Sequence, residues 1–511
     1  VIGIIALLSL IPLALAHPSK QTLIKFIVLG GTVIFLLSYW IIPIVMGDNF
    51  HNISFWDPVW KFNSYGAKET IVRLFNGDLF DFGRFPIFTL LIFVGAFACI
   101  QKRWKSFTFL FLFWFFLYFG RTTWGGLIDL IPGMKDFHLS RFLVGVHIAG
   151  IFLAPIGFEW LVSLIPDRRI RILGILGILG LLLPPIYQQT IRYSQFNDTL
   201  IARANENHKK VSGDEQKLFA KLRSLPPARI FAGRGGGFGK DFRVAETPYY
   251  MQLSTFGLPT TLWLPETWSM NSDTEQYFSE DQAKDYDLYN MRWVAAPPDQ
   301  KPQPFWKKID EAATWKLYEV PTSGYFTTGV RPAIVAVDKR SFVNVVRLWI
   351  QPDAPKNGLF PELTFDKDYP KTTGLPNFKM IDEVTYKTPD QKTHNLWNEP
   401  PQYQQSTFSA ILQTEVVDSD MIFKTHVEVG ENCVECLVIL KQTYHPNWKA
   451  TVDGKAVTPI IVFPFYIGIP VTQGTHEVIV SYEPSGLKMG LLFVEIVSII
   501  AFILYTIKSK F

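Results

Sequence analysis

The stretch Met489–Ile507, MGLLFVEIVSIIAFILYTI, is apolar enough to cross a membrane and carries a single charge, Glu495. A spanning helix needs about 20 predominantly apolar residues. Before it lies a long block of mixed polarity, residues 188–488. Further back are six more apolar runs: Val1–Ala16, Phe26–Val45, Phe85–Ile100, Ser106–Gly120, Phe142–Ile165 and Ile172–Tyr187. Of the seven, the second, fifth and last are long enough alone, and the others rely on aromatic ends. The pattern predicts a polytopic α-helical membrane domain, one large inserted block, and a closing C-terminal transmembrane helix.

Charge sets the expected orientation. Lys20, then Lys102, Arg103 and Lys105, then Arg168, Arg169 and Arg171, then Lys508 and Lys510 fall on alternate connections. Cytoplasmic connections are enriched in Lys and Arg, so segments 46–84, 121–141 and 188–488 are expected outside the cell. Composition agrees with a partly membrane-embedded chain: 18% of residues are charged, against about 25% in soluble domains. The net charge of +4 is spread over the connections and leaves no footprint for nucleic acid. Val1–Ala16 ends in Ala-Leu-Ala, as a secretory leader does, but lacks a basic start, and a second span follows at once. The expectation is a chain truncated at its N-terminus, with an odd number of spans upstream.

The inserted block divides by texture. The block begins after Pro184-Pro185, and residues 212–350 alternate helix with strand. Glu215–Leu222 reads as helix, Arg229–Ala232 as strand, Asp273–Asp285 as helix, and Met291–Ala295, Trp315–Val320 and Ala333–Val337 as strands. Asp338 is placed to cap a helix over Ser341–Ile350. This predicts a small α/β domain. Residues 351–487 instead show alternating strands separated by Gly, Pro and Asp. Ala450–Val457, with Asp453-Gly454 at its centre, predicts a two-residue hairpin, and His476–Tyr482 a closing strand. The prediction is a β-sandwich. The expected domains are thus 1–187, 188–350, 351–487 and 488–511.

Few residues carry chemistry openly. Cys433 and Cys436 form Cys-Val-Glu-Cys. No second ligand pair suggests zinc, and a local disulfide or two free thiols are the readings. Cys99 lies in a span and reads as packing. Gly233–Lys240 invites a phosphate-loop reading but has Arg234 where the loop's first glycine is required, and Asp241 replaces Ser or Thr; the dinucleotide fingerprint fails at Phe238. A flexible surface turn is expected there. Asn52-Ile53-Ser54 and Asn197-Asp198-Thr199 are glycosylation triplets of a kind common by chance. Residues 67–76 have helical apolar spacing suited to the membrane interface. His138 and Arg141, three apart where the fifth run meets the exterior, form a cation pair on one helical face. It suits a lipid phosphate, lipid head groups, or ion pairs with Asp129 and Asp136. His147, Glu159 and Glu495 are ionisable groups within spans, where function is the default suspicion, although structural roles fit all three.

Tyr444–Lys455 (YHPNWKATVDGK), then Pro470, Gly474-Thr475-His476 and Tyr482-Glu483-Pro484 before the last span, resemble the C-terminal part of YfhO-like bacterial membrane proteins. Asp136–Phe142 and Tyr289–Val294 resemble segments of related proteins labelled "6-pyruvoyl-tetrahydropterin synthase-related", a label that nothing here connects with pterin chemistry. These families are similar to the GT-C superfamily of multi-span glycosyltransferases. The resemblance implies a GT-C-like membrane domain in a prokaryotic plasma membrane. It also implies transfer of a sugar from a polyprenyl-phosphate donor to a polysaccharide, lipid or protein acceptor of the envelope, on the extracytoplasmic face. In that superfamily the key acids usually follow the first span, a position that would lie upstream of Val1. Within this chain the expectations are His138 and Arg141 on the donor phosphate, Asp57 as an acidic candidate, and Trp448 and Tyr466 as sugar-stacking rings, with core packing as the other reading of Trp448. No cofactor is identifiable; a divalent cation is compatible. The alternative is a non-catalytic envelope protein whose exterior domains bind polysaccharide or a protein partner, since no self-contained catalytic constellation is legible. A transporter is a weaker reading, for want of inverted repeats.

Overall fold

A computed structural model describes residues 2–16, 18–47, 50, 52, 55–56, 58–101, 104–131, 134, 137–261, 269–365, 374–403, 410–418 and 421–508. The chain forms two compact units. One comprises Val1–Met46, Asp57–Asn197 and Gly486–Phe511; the other comprises Gly47–Trp56 and Asp198–Ser485.

The first unit is helical at all seven expected runs, even through Gly30-Gly31 and Pro184-Pro185. Among the described residues, Leu139–Ser163, Arg168–Ser224 and Gly486–Lys508 are each long and apolar enough to cross a membrane. Ile87–Gln101 and Lys105–Tyr118 are shorter, at 15 and 14 residues. The run expected as one span over Phe26–Val45 is instead two helices, Lys20–Leu36 and Ser38–Met46, bent by 72°. The break has a partner on the last span: Glu495 Oε1 accepts the Ser38 hydroxyl at 2.7 Å and the Tyr39 amide at 3.0 Å. The carboxylate satisfies donors that the interrupted helix leaves unpaired. Glu495 is thus a structural acceptor.

Helices Ile87–Gln101 and Leu143–Ser163 pack backbone to backbone. A Cβ at Gly95 would stand 1.9 Å from the Leu153 carbonyl oxygen, and one at Gly157 would stand 2.0 Å from that of Leu91. Paired small residues of this kind bring membrane helices together without a hydrophobic driving force. Trp114 fills the neighbouring space beneath Gly145, and Cys99 is fully enclosed.

The sixth run does not end at Tyr187. Helix Arg168–Ser224 continues through Pro184 and Pro185 for 57 residues. Each proline removes one backbone donor, but beyond them lies a polar stretch of good helix formers with i,i+4 support such as Lys210–Glu206 at 2.7 Å. The expected helix over Glu215–Leu222 is its buried end.

The second unit holds three larger sheets among its described residues. Ile230–Phe231, Trp293–Ala296, Lys316–Glu319 and Lys307–Glu311 lie in that order in the first, with only the first pair parallel. The second runs Thr393–Asn395, Thr385–Lys387, Asn377–Met380, Ile334–Ala336, Glu362–Thr364, Ile460–Val462, Tyr466–Pro470, Cys436–Leu440, Phe326–Val330. The third is antiparallel: Ala410–Asp418, Ile422–Val429, Gly474–Tyr482, Trp448–Val452, Lys455–Val457.

Phe326, Val438 and Ile467 of the second sheet pack with Phe423, Trp448 and Val480 of the third in one hydrophobic cluster. The boundary expected at residue 350 nevertheless runs through a hydrogen-bonded sheet, because Ile334–Ala336 pairs in parallel with Glu362–Thr364 and Asn377–Met380. The single helix expected over Asp273–Asp285 is two, Met270–Glu275 and Ala283–Leu288; the Asp285 carboxylate accepts the Ser279 amide at 2.8 Å and turns the chain between them. Asp338 accepts the Arg340 and Ser341 amides just before helix Phe342–Ile350, as expected.

Candidate functional site

His138 and Arg141 sit at a 3₁₀ turn, Leu139–Phe142, that leads straight into helix Leu143–Ser163. His138 itself is the extended residue that precedes the turn, with φ −75° and ψ 100°, and Arg141 is the third residue within it. The Arg141 amide donates to the His138 carbonyl at 3.1 Å. The Ser140 hydroxyl donates to the Lys61 carbonyl at 2.7 Å, which fixes the turn to helix Val59–Asn63. The His138 ring stands edge-on to Phe62 at 5.8 Å.

A residue not singled out from sequence, Arg121, braces this corner. Its guanidinium pairs with Asp129 at 2.9 Å and donates to the carbonyls of Phe62 at 3.2 Å, Phe137 at 3.3 Å and Met134. It also lies 4.4 Å from the Phe62 ring centre. Asp129 therefore serves Arg121, not His138 or Arg141. Asp136 and Asp57 lie outside the described residues. Arg141 is half-buried, and its side chain has no hydrogen bond or ion pair among the described residues.

The two rings expected to stack on sugar are enclosed instead. Tyr466 is fully buried, and its hydroxyl donates to the Leu288 carbonyl at 2.9 Å. Burial raises its pKa far above the ordinary phenol value. Trp448 packs inward from its strand against Phe423 and Tyr482, with its indole N–H on the Thr443 carbonyl at 3.1 Å. Neither ring presents a face to a ligand, because the alternation of their strands points both into a core. His147 Nε2 lies 2.7 Å from the Leu79 carbonyl, while Glu159 is exposed on its helix. Cys433 and Cys436 are disulfide-bonded.

The Gly233–Lys240 run is an anchored turn, not a flexible one. Gly233 has φ +77°, and a Cβ there would meet the Gly239 backbone at 2.4 Å. Arg234 secures it, with Glu280 at 3.1 Å and the Phe278 carbonyl at 2.7 Å.

The second unit also buries an ionic network that the sequence did not reveal. Lys441 Nζ donates to the Asp287 carbonyl at 2.6 Å, its carboxylate at 3.2 Å and the Ser323 hydroxyl at 2.7 Å. Burial raises the Asp287 pKa, but the Lys441 cation and the Ser323 donors hold it below the usual range. Arg229 reaches the carbonyls of Tyr289 at 2.7 Å and Lys441 at 2.5 Å. Burial pushes Glu275 up to about 7 against the opposing pull of Arg229. The network joins strands and helix ends through carbonyls and so reads as structural; its signal in the sequence is limited to charges beside Tyr289-Asn290. Among the described residues, no three His, Cys, Asp or Glu side chains are grouped to hold a metal ion.

No curated protein matches the chain. Among solved structures it is similar to the arabinofuranosyltransferase AftD from mycobacteria, with 12% identity and a TM-score of 0.33, covering 94% of this chain and 43% of that one. A mutant form of the same enzyme gives 12% identity and a TM-score of 0.29 over 92% and 44%. The chain thus spans less than half the length of these structures. Residues 411–493 match the family described as bacterial membrane protein YfhO, and this likeness, together with the long apolar helices, fits a membrane protein with a sheet-rich unit.

Proposed function

We propose that this protein transfers a sugar from a polyprenyl-phosphate carrier to an envelope acceptor in the manner of a GT-C glycosyltransferase, at the outer face of a prokaryotic plasma membrane. The observation that carries the reading is Arg141. It is a half-buried guanidinium with no acidic partner among the described residues, on a turn leading into a membrane-length helix. A cation so placed matches a lipid phosphate bidentately. His138, one turn away, lies beside it. Asp57 remains the acidic candidate in this chain for accepting a proton from the acceptor hydroxyl. The alternating basic connections support seven spans with the sheet-rich unit outside, where it would present the acceptor.

One observation favours the non-catalytic reading instead. Asp81 is consumed by the Phe88 and Thr89 amides at 2.8 and 3.0 Å, Asp129 by Arg121 and Glu495 by Ser38, so these carboxylates of the membrane unit are spent on structure.

The test is binding of undecaprenyl phosphate to the full chain in nanodiscs, followed by native mass spectrometry. Arg141→Ala is expected to weaken binding by tenfold or more and Arg141→Lys by less, since a point charge replaces the fork. Unchanged binding in both variants would remove the phosphate role. Sound lipid binding with no sugar transfer from any polyprenyl-phosphate sugar would favour the non-catalytic protein.

A further inference from the structure

We infer that a surface cluster of Arg347, Tyr277, Trp397, Trp56 and Phe55 in the sheet-rich unit binds a sugar bearing a negative charge, either a uronate or a sugar phosphate. Arg347 is the one charged residue of helix Phe342–Ile350, whose Phe342, Val345, Val346 and Trp349 are buried. That packing fixes the backbone from which the exposed guanidinium projects. The guanidinium lies 5.7 Å from the Tyr277 ring centre and 5.5 Å from that of Trp397. It has no hydrogen bond or ion pair among the described residues. A cation flanked by two aromatic rings keeps its donors in one plane and available, which suits a carboxylate or phosphate.

The rings extend outward from it. Trp56 meets Tyr277 edge-on at 5.8 Å, and Phe55 meets Trp56 edge-on at 5.2 Å. Phe55, Trp56 and Trp397 are 39%, 37% and 42% exposed, although large aromatics usually find cover. They are held there by polar anchors. The fully buried Asp273 carboxylate accepts the Asn52 side-chain amide and the Phe55 backbone amide, each at 3.0 Å, and the Asp273 carbonyl accepts the Trp56 indole at 3.1 Å. Asn395 accepts the Trp397 amide at 3.0 Å. Rings anchored before a ligand arrives lose little freedom on binding. Their flat faces suit the C–H face of a sugar ring, while Arg347 selects for charge.

A bilayer surface is the competing occupant, since Trp and Tyr gather at membrane interfaces. Recognition of anionic lipid, however, uses clusters of several Lys and Arg, and this cluster has a single cation. The inference rests on the protein handling sugars, and it names a second subsite apart from the lipid-phosphate corner.

The experiment is intrinsic tryptophan fluorescence of the full chain in phosphatidylcholine nanodiscs. The titrants are a glucuronate-containing hexasaccharide, glucose 1-phosphate and neutral maltohexaose. The uronate or the phosphate, or both, should bind at least tenfold more tightly than maltohexaose, and the stronger of the two identifies the source of the charge. Arg347→Gln should weaken that binding by about tenfold, as loss of a charge-assisted contact predicts; Arg347→Lys should recover part of it. Trp397→Ala should weaken all three. Equal binding of charged and neutral sugars, or unaltered binding by Arg347→Gln, would overturn the inference. So would a fluorescence change that appears only with phosphatidylglycerol discs and needs no sugar. Undecaprenyl phosphate binding is measured on the same preparations: if it is intact while acidic sugar fails to bind, the cluster alone is wrong, and the converse sinks the transfer reading alone.

Discussion

Substituting Gly95 by alanine should loosen the membrane unit through a single methyl group. A Cβ there would lie 1.9 Å from the Leu153 carbonyl oxygen, where ordinary contact begins near 3.4 Å. Backbone cannot rotate away as a side chain can, so the helices must part locally by about 1.5 Å. Overpacking of this kind typically costs about 1–3 kcal/mol; about 2 kcal/mol is taken here. The reporter is already in the helix. Cys99 stands one turn beyond Gly95, is fully buried, and is the one cysteine outside a disulfide among the described residues. If labelling by N-ethylmaleimide proceeds through local opening, about 2 kcal/mol raises its rate by about 30-fold. Gly157→Ala should act alike, because its Cβ meets the Leu91 carbonyl at 2.0 Å. The double variant should fall short of the sum, since one displacement relieves both contacts. Gly177→Ala, whose Cβ meets nothing within 4 Å, is the control and should leave labelling unchanged. Wild-type labelling rates in both Gly95→Ala and Gly157→Ala would refute the close helix contact.

Three further outcomes are expected. Glu495→Ala should lower the resistance of the membrane unit to SDS unfolding by about 2–4 kcal/mol, since two donors lose a charged acceptor, whereas Glu495→Gln keeps an acceptor oxygen and should lose about half as much. Lys441→Met should destabilise the sheet-rich unit by about 1–3 kcal/mol in urea, because it removes the buried donor to the Asp287 carbonyl and the Ser323 hydroxyl; the half-exposed Asp287 carboxylate keeps water and the Ser323 amide as partners, so adding Asp287→Asn should change little further. The protection factor of the Glu477 amide against hydrogen exchange, after correction for the intrinsic pH dependence, should be highest at mildly acidic pH, since this amide donates to Asp453 at 2.9 Å. The hydrogen bond with Asp453 raises the His476 pKa, so its contribution is full below the unfolded imidazole value and is lost as pH rises through the folded one. The same bond lowers the Asp453 pKa, so its contribution is present above the unfolded carboxyl value and is lost as pH falls through the folded one. Asp453→Asn should flatten both limbs.

What the sequence revealed about the fold was what neighbouring residues decide among themselves. Asp453 and Gly454 take φ of 51° and 75°, the pair of positive values that the hairpin reading requires. The helical spacing read over residues 67–76 appears as helix Gly66–Phe75. Strand partners were not legible. Phe326–Val330 pairs with Cys436–Leu440, more than a hundred residues on, and Ile334–Ala336 takes two parallel neighbours. An alternating pattern fixes which face a strand buries but not which strand lies beside it, so a change of texture near residue 350 looked like a domain boundary. Hydropathy alone likewise ended the sixth run at its prolines, although the polar residues beyond them sustain the same helix.

The candidate site shows the same division at the level of side chains. The spacing of His138 and Arg141 was readable because a short turn sets it. That Asp129 belongs to Arg121 was not, since the choice between cations depends on where Phe62, Met134 and Phe137 bring their carbonyls. Trp448 and Tyr466 drew attention through the dense motif around them, yet that density reflects packing: Trp448 sits directly across from Tyr482 in the antiparallel register, and both rings are needed to fill one core. The cluster comes from four separate places in the chain, Phe55-Trp56, Tyr277, Arg347 with its helix, and Trp397, none with a motif of its own. A surface assembled that way leaves no local trace in sequence. It becomes visible only when a buried carboxylate, Asp273, is found holding two aromatic residues open to solvent, and a hydrophobic unit with no use for such rings would have covered them.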